Sequence, residues 1–352
     1  SRPNSLSLPC LPLSFSGGTV SSGARSGERL VGDFGGTHAR MATLAPRDNA
    51  LERISVLPCA DYTRIDDSID AYLDLHGIES VDQVCLAVAG PVDQDVISLP
   101  NNRWRFSRSE LERSLEAPLT VLNDFTAQAL CVQVLSPGEL TWIGDPRPEE
   151  GGIQVVIGPG SGLGVAVRLP SGEIIPSEAG HVGFAPPNPP EIEILRLLVV
   201  RYSRVSIERV VSGPGLENLY WANSRIDGDP KVGGAPTLSA QEVSALAEAG
   251  DERATRSVND LLDLLATFAG DMALASWSRG GVYLSGGALR KMMGFLKPER
   301  FRARFEAKGR FQGFCQDVAV GWIAADHPGL LGCAAALVTD FGRNGSAAPG
   351  PR

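Results

Sequence analysis

The run Leu119-Thr120-Val121-Leu122-Asn123-Asp124-Phe125 decides how the rest of the chain is read. Branched apolar residues that end in polar ones mark a short buried strand. The spacing of Ala127, Leu130 and Leu135 after it predicts a helix entered at Thr126. In an open α/β sheet, ligands sit outside the carboxyl ends of such strands, which is where Asn123 and Asp124 stand. Asp124 therefore has two readings. It caps the following helix, a position Asp favours, or it delivers a carboxylate to the floor of a cleft.

Working upstream, residues 29–31, 39–44 and 54–58 read as strands, and 65–76 as an amphipathic helix through Ile65, Ile69, Tyr72, Leu73 and His76. Residues 84–89 read as a strand, 97–104 as a connection and 107–115 as a helix, giving the order βββαβαβ. The first two strands are joined by Gly32-Asp33-Phe34-Gly35-Gly36-Thr37. Such a turn lets backbone N–H groups approach phosphate oxygens with no Cβ in the way, and Thr37 adds a hydroxyl. Asp33 could hold a hydrated Mg²⁺. An ordinary glycine hairpin has the same composition.

Downstream the order repeats. A strand at 153–157 enters a second glycine turn, Gly158-Pro159-Gly160-Ser161-Gly162-Leu163-Gly164, and strands follow at 165–169 and 173–176. Two glycine hairpins opening two similar halves imply an internal duplication, with a phosphate-binding turn on each side of a cleft. Glu178 and His181 then stand three apart among small residues. They can share a pocket and bond several hydroxyls, or they are a loop histidine and a nearby surface acid. Residues 191–202 and 206–225 read as helices, with Glu208 in the first turn of the second. There it either interacts favourably with the helix dipole or faces the same pocket. Residues 239–249 and 253–277 form a helical insertion. Residues 280–288 are a strand ending in a turn whose Gly286 and Gly287 let the backbone approach a nucleoside. A strand at 318–324 and a helix at 329–337 close the fold. His76 and His327 read as surface and turn residues.

The 352 residues, 43% of them hydrophobic, suffice for two domains, expected at 29–135 and 136–341. Residues 1–28 are Ser-, Pro- and Gly-rich and free of acids before Glu28, so they are expected to be a disordered extension, with 342–352 a disordered tail. Sparse arginine and the prolines favour a translation scar or flexible tail over a cleaved transit peptide. A net charge of −9 disfavours nucleic-acid partners. No apolar run is long enough to span a membrane. The six cysteines are scattered without metal-ligand spacing, as in a reduced cytoplasmic protein with no structural zinc.

The blocks LVGDFGGTHAR, LNDFTA, GPGSGLGVA, SEAGHVGFAP, ERVVSGPGLENLY, GGVYLSGGAL, FEAKGRF and HPGLLGCAAAL cover 30–337 in order. Together they resemble the bacterial glucokinases of the hexokinase, sugar-kinase and actin-like ATPase superfamily. The resemblance implies an α/β fold of two actin-like ATPase (ribonuclease H-like) domains, each a mixed sheet with flanking helices, around a central cleft. It implies ATP-dependent phosphorylation of D-glucose to glucose 6-phosphate, the first step of glycolysis, with Mg²⁺, in a cytoplasmic homodimer. Asp124 is then similar to the family's catalytic base, and Asn101, Asn123, Asp124 itself, Glu178, His181 and Glu208 to its sugar ligands. Gly32, Asp33, Phe34, Gly35, Gly36 and Thr37 resemble its first phosphate turn, Gly158, Gly160, Ser161 and Gly162 its second, and Gly286 with Gly287 its adenosine-side turn. The resemblance implies that Asp33 helps place the metal, through water. The chain departs from the family at His38, where Asn is usual, and at Gly183, where Asp is usual. The alternatives are a kinase for another hexose, such as mannose or fructose, a repressor-type relative, or a non-catalytic sugar-sensing homologue. No cysteine lies in 184–196, where repressor-type relatives carry a zinc motif.

Overall fold

The computed structural model of the protein describes residues 27–99, 102–229, 233–339 and 341. The expectations for the extension up to residue 26, for Asn101 and for the tail 342–352 lie outside the described residues.

The first half runs β1 (Glu28–Phe34), β2 (His38–Leu44), β3 (Leu51–Pro58), α1 (Ile65–His76), β4 (Val81–Val88), β5 (Val96–Ser98), β6 (Arg105–Ser107), α2 (Arg108–Leu115), β7 (Leu119–Asn123) and α3 (Asp124–Cys131). Its five-stranded sheet has the order β3-β2-β1-β4-β7. The hairpin strand β2 is antiparallel to both neighbours, whereas β1, β4 and β7 are parallel. Val84 through Val88 are all fully buried, because a central parallel strand is covered on both faces.

The second half runs β8 (Leu140–Trp142), β9 (Gln154–Pro159), β10 (Leu163–Arg168), β11 (Ile174–Ser177), α4 (Pro189–Tyr202), α5 (Gly213–Ile226), α6 (Ala240–Glu248), α7 (Glu252–Ser276), β12 (Val282–Leu284), α8 (Gly287–Met292), α9 (Pro298–Glu306), α10 (Gln312–Asp317), β13 (Val320–Ile323) and α11 (Pro328–Val338). Its sheet order is β11-β10-β9-β12-β13-β8. The first five strands of that order repeat the order and directions of the first sheet. The duplication expected from the two glycine turns is thus present as topology, with β8 added antiparallel on the far edge.

Several local expectations are corrected. The first described strand begins at Glu28 rather than residue 29, with the Glu28 N–H bonded to the Ser80 carbonyl. The stretch 97–104 is not a plain connection, since β5 and β6 form a small hairpin around it. The helix after β7 starts at Asp124, two residues before Thr126, because Asn123 caps it. The single helix expected over 206–225 is broken into a short 3-10 turn, Ile207–Arg209, and α5. Ser212 accepts from the Gly215 N–H at 2.9 Å and Pro214 sits in the first turn of α5. A proline has no N–H to continue a helix through it, so a new helix must start there.

One cluster of the core bridges the two sheets. Val31, Cys85 and Ala87 of the first sheet meet Val156, Ala166 and Tyr283 of the second across Ala127, Leu130, Leu330 and Cys333. Helices α3 and α11 therefore lie between the sheets. The last described helix, α11, packs on β1 and β4, which come early in the sequence. Cys59, Cys85, Cys131, Cys315 and Cys333 are free and buried. Among the described residues no helix is long and apolar enough to cross a membrane.

Candidate active site

Asn123 and Asp124 divide the two roles that the sequence left open for Asp124. Asn123 Oδ1 accepts from the N–H groups of Phe125 (2.9 Å) and Thr126 (3.3 Å), and its Nδ2 donates to the Gly90 carbonyl at 3.1 Å. The cap is therefore Asn123, whose amide is held on both sides. Asp124 follows as the first helical residue, with Oδ1 accepting from the Phe125 N–H at 3.0 Å. Burial pushes its carboxyl up to about 7, and the neighbouring Asp33 and Glu178 carboxylates push in the same direction against the pull of the Phe125 N–H.

Asp33 is the penultimate residue of β1. Burial raises its pKa, opposed by Arg40 and then His327. Arg40 Nη1 lies 3.6 Å from Asp33 Oδ2, because the two residues are direct partners in the β1–β2 register. Burial and the nearby Arg40 lower the pKa of His327, whose Nδ1 is buried with no hydrogen-bond partner. In the turn itself, the Gly35 N–H donates to the His38 carbonyl at 3.1 Å, and Thr37 Oγ1 pairs with His38 Nδ1 at 3.0 Å. The departure at His38 thus engages the hydroxyl expected to serve phosphate. Gly32 and Phe34 are buried, the latter edge-on to Trp104, so the Phe34 side chain belongs to the core. Gly36 is half-buried in the turn.

The second glycine turn is shaped from the other half. Gly158 and Gly164 are cross-strand partners, and a Cβ on Gly164 would lie 1.9 Å from the Phe125 ring. The ring that follows the candidate base therefore packs on the paired glycines of the opposite sheet. The turn is closed by the Gly160 N–H on the Gly162 carbonyl (2.8 Å) and anchored by the Gly213 N–H on the Gly160 carbonyl (2.8 Å). Ser161 is exposed at its tip. Gly286 has φ of 109° and would carry a Cβ 2.6 Å from the Pro159 carbonyl oxygen, so only glycine fits beside the turn. Gly287 is exposed and opens α8.

Glu208, freed from α5 by the helix break, reaches back to this turn. Its Oε2 accepts from the Leu163 N–H at 2.9 Å, and a Cβ on Gly162 would stand 2.5 Å from that oxygen. His181 lies 4.0 Å from Glu208 and 3.8 Å from Glu178. The Glu178 and His181 side chains are 86% and 59% exposed, open for a ligand to bond. The loop that carries them is stitched to the Glu208 turn by Ile207 N–H to Val182 O (2.9 Å), Phe184 N–H to Val205 O (3.0 Å) and a bridge between Gly183 and Ser206. A Cβ on Gly183 meets nothing within 4 Å, so this departure opens no gap in the packing.

The structure thus brings Asp33, Asp124, Glu178, His181, Glu208 and both glycine turns together at the carboxyl ends of β1, β7, β9 and β12. Sequence reading passed over Arg40, Phe125 and His327. Arg40 was recoverable from hairpin register. Phe125 had only an indirect signal, the two paired glycines that its ring fills. His327 was read as a turn residue, and nothing local marks it as a neighbour of Asp33.

The shifted carboxyl has a stability consequence. A group whose folded pKa lies above its unfolded 3.8 favours folding at low pH, and that contribution is lost as pH rises through about 7. Asp124→Asn is therefore expected to melt at a higher temperature than the parent above pH 7, with the difference narrowing as pH falls toward 4. Thermal melts across that range check it, and a pH-independent difference would refute the shift.

The family model for glucokinase matches residues 30–340. A glucokinase of Chromohalobacter salexigens is 39% identical over 312 residues, 88% of this chain and 97% of the relative. The crystal structure of a glucokinase from an Antarctic psychrotroph superposes with a TM-score of 0.78 at 32% identity, covering 90% of this chain and all of that one. A Balamuthia mandrillaris glucokinase, solved in complex with glucose, shares the fold with a TM-score of 0.75 at 22% identity, covering 89% and 94% of the two chains. A two-domain actin-like ATPase fold, a matched family model and relatives aligned almost end to end lead to one conclusion: the chain belongs to the glucokinase family.

Proposed function

We propose that this enzyme transfers the γ-phosphoryl group of ATP to the 6-hydroxyl of D-glucose, with Asp124 accepting the proton of the attacking hydroxyl. The observation that carries the reading is the Asp124 carboxyl, placed between the two halves and pushed up to about 7. A general base works best with a pKa near the operating pH. Glu178, His181 and Glu208 bind sugar hydroxyls, since carboxylates and imidazole can each pair with one or two of them. Asn123 and Asn101 complete the proposed set, Asn123 positioning the base through its cap. The turns at 32–37 and 158–162 receive the phosphates, and Gly286 with Gly287 the adenosine side.

Magnesium fits the donors present. Asp33 is a hard oxygen donor at the start of the first turn, with Arg40 Nη1 3.6 Å from its carboxylate, and a single carboxylate would hold the ion mainly through water. Such a site suits a cation that keeps water and phosphate oxygens as most of its shell. When bound, it neutralises charge on the phosphates. The rest falls to the protein. The hydroxyl contacts orient the sugar, and the halves 29–135 and 136–341 close over it to exclude water that would hydrolyse ATP. A cytoplasmic homodimer belongs to the same proposal.

The test is coupled ADP release with Mg-ATP, a panel of hexoses and a no-sugar blank. Turnover confined to glucose is expected. Turnover spread over mannose or fructose would move the specificity. Glucose binding without turnover would replace the kinase by a sugar sensor, and the Thr37–His38 pair would be the first place to look.

A further inference from the structure

The proposed reaction needs Asp33 and Asp124 at a defined separation, yet they sit on different elements, at the end of β1 and the start of α3. Helix α11 packs against both elements. A Cβ on Gly329 would lie 2.7 Å from the Asp33 carboxyl carbon, and a Cβ on Gly332 only 1.8 Å from the Ala127 carbonyl oxygen of α3. Cys333 Sγ donates to the Gly32 carbonyl at 3.4 Å, next to Asp33 in the chain. Gly329 and Gly332 are three apart, so they share one helical face. Ala127 is one helical turn beyond Asp124, so its carbonyl reports where the base-bearing end of α3 stands.

We infer that α11 is the spacer between the two carboxylates, with Gly329 and Gly332 as positioning residues that touch neither sugar nor nucleotide. The inference deepens the kinase reading and rests on it. Its physical basis is the stiffness of a close-packed contact. At Gly332 the atoms that would clash belong to backbone on both sides, so no rotamer change relieves them. At Gly329 the neighbour is the Asp33 side chain itself, which a methyl group would displace directly.

The test compares Gly332→Ala with Leu330→Ala, a buried position on the same helix. Gly332→Ala must push α3 away, and misplacing a reacting group by about 1 Å can cost about 10²-fold in rate. The expected result is a loss of that size in kcat with the KM for glucose little changed. Leu330→Ala is expected to lower the melting temperature while keeping kcat near the parent value. A crystal structure of Gly332→Ala reads the Asp33 to Asp124 separation directly and should show it widened. Full kcat in Gly332→Ala, an equal loss in Leu330→Ala, or an unchanged separation would overturn the inference. If Gly332→Ala does not fold, Gly329→Ala serves, because its methyl group meets a side chain that can swing. It should raise the KM for Mg-ATP, and an unaltered value would count against the spacer. A parent protein inert toward glucose would remove the kinase reading, whereas the crystallographic separation would still judge the spacer.

Discussion

Asp124→Ala should lower kcat for glucose phosphorylation by about 10²- to 10⁴-fold, the usual contribution of a positioned general base. Glucose binding should survive largely intact. The helix that carries the residue is capped by Asn123, not by Asp124, so removing the carboxylate leaves the Phe125 and Thr126 N–H groups paired. The site also keeps Glu178, His181 and Glu208 in place on the other half. Asp124→Asn should behave alike in rate, since an amide cannot accept the proton. The parent enzyme should lose kcat/KM as pH falls through about 7, where the carboxyl becomes protonated. Initial rates and isothermal glucose titrations across pH measure all of this. Undiminished turnover in Asp124→Ala would remove the base from the mechanism.

Glu208→Ala is expected to act through binding instead. Its carboxylate accepts from the Leu163 N–H at 2.9 Å, and Leu163 is buried. Truncation leaves that N–H unpaired and releases the second glycine turn. Losing a hydrogen bond to a charged group costs about 1.5–3 kcal/mol, so the KM for glucose should rise about 10- to 100-fold. Glu208→Gln retains an acceptor for Leu163 and should restore the turn and part of the affinity, though without the charge beside His181. Steady-state kinetics on the two variants separate these roles. A glucose KM unaltered in Glu208→Ala would take the residue out of the sugar site.

Both predictions depend on a helix boundary that periodicity misplaced. Residues 206–225 carry a continuous helical pattern, and only the Ser212 cap and Pro214 break it, which turns Glu208 from a helix-surface acid into a clamp on the second turn. A similar local chemistry was decisive at Asn123. Two adjacent polar residues after a strand offer two possible caps, and the choice rests on which side chain folds back on the N–H groups of the first turn. Here Asn123 is also tied to the Gly90 carbonyl, a contact from another strand end.

What could be read from the chain alone was whatever local spacing controls: the strand runs, the two glycine hairpins, the duplicated order and the polar residues at strand ends. The residue types with the right chemistry were visible for the same reason, because Asp, Glu and His are marked wherever they occur. Tertiary structure alone decided which of them meet. Asp33 raises the carboxyl of Asp124, Phe125 fills the space over Gly158 and Gly164, and α11 returns from late in the chain to pack on both α3 and β1. Burial and Coulombic proximity are properties of segments far apart in sequence, so no local period could announce a carboxyl held near neutrality or a glycine required by another helix's backbone.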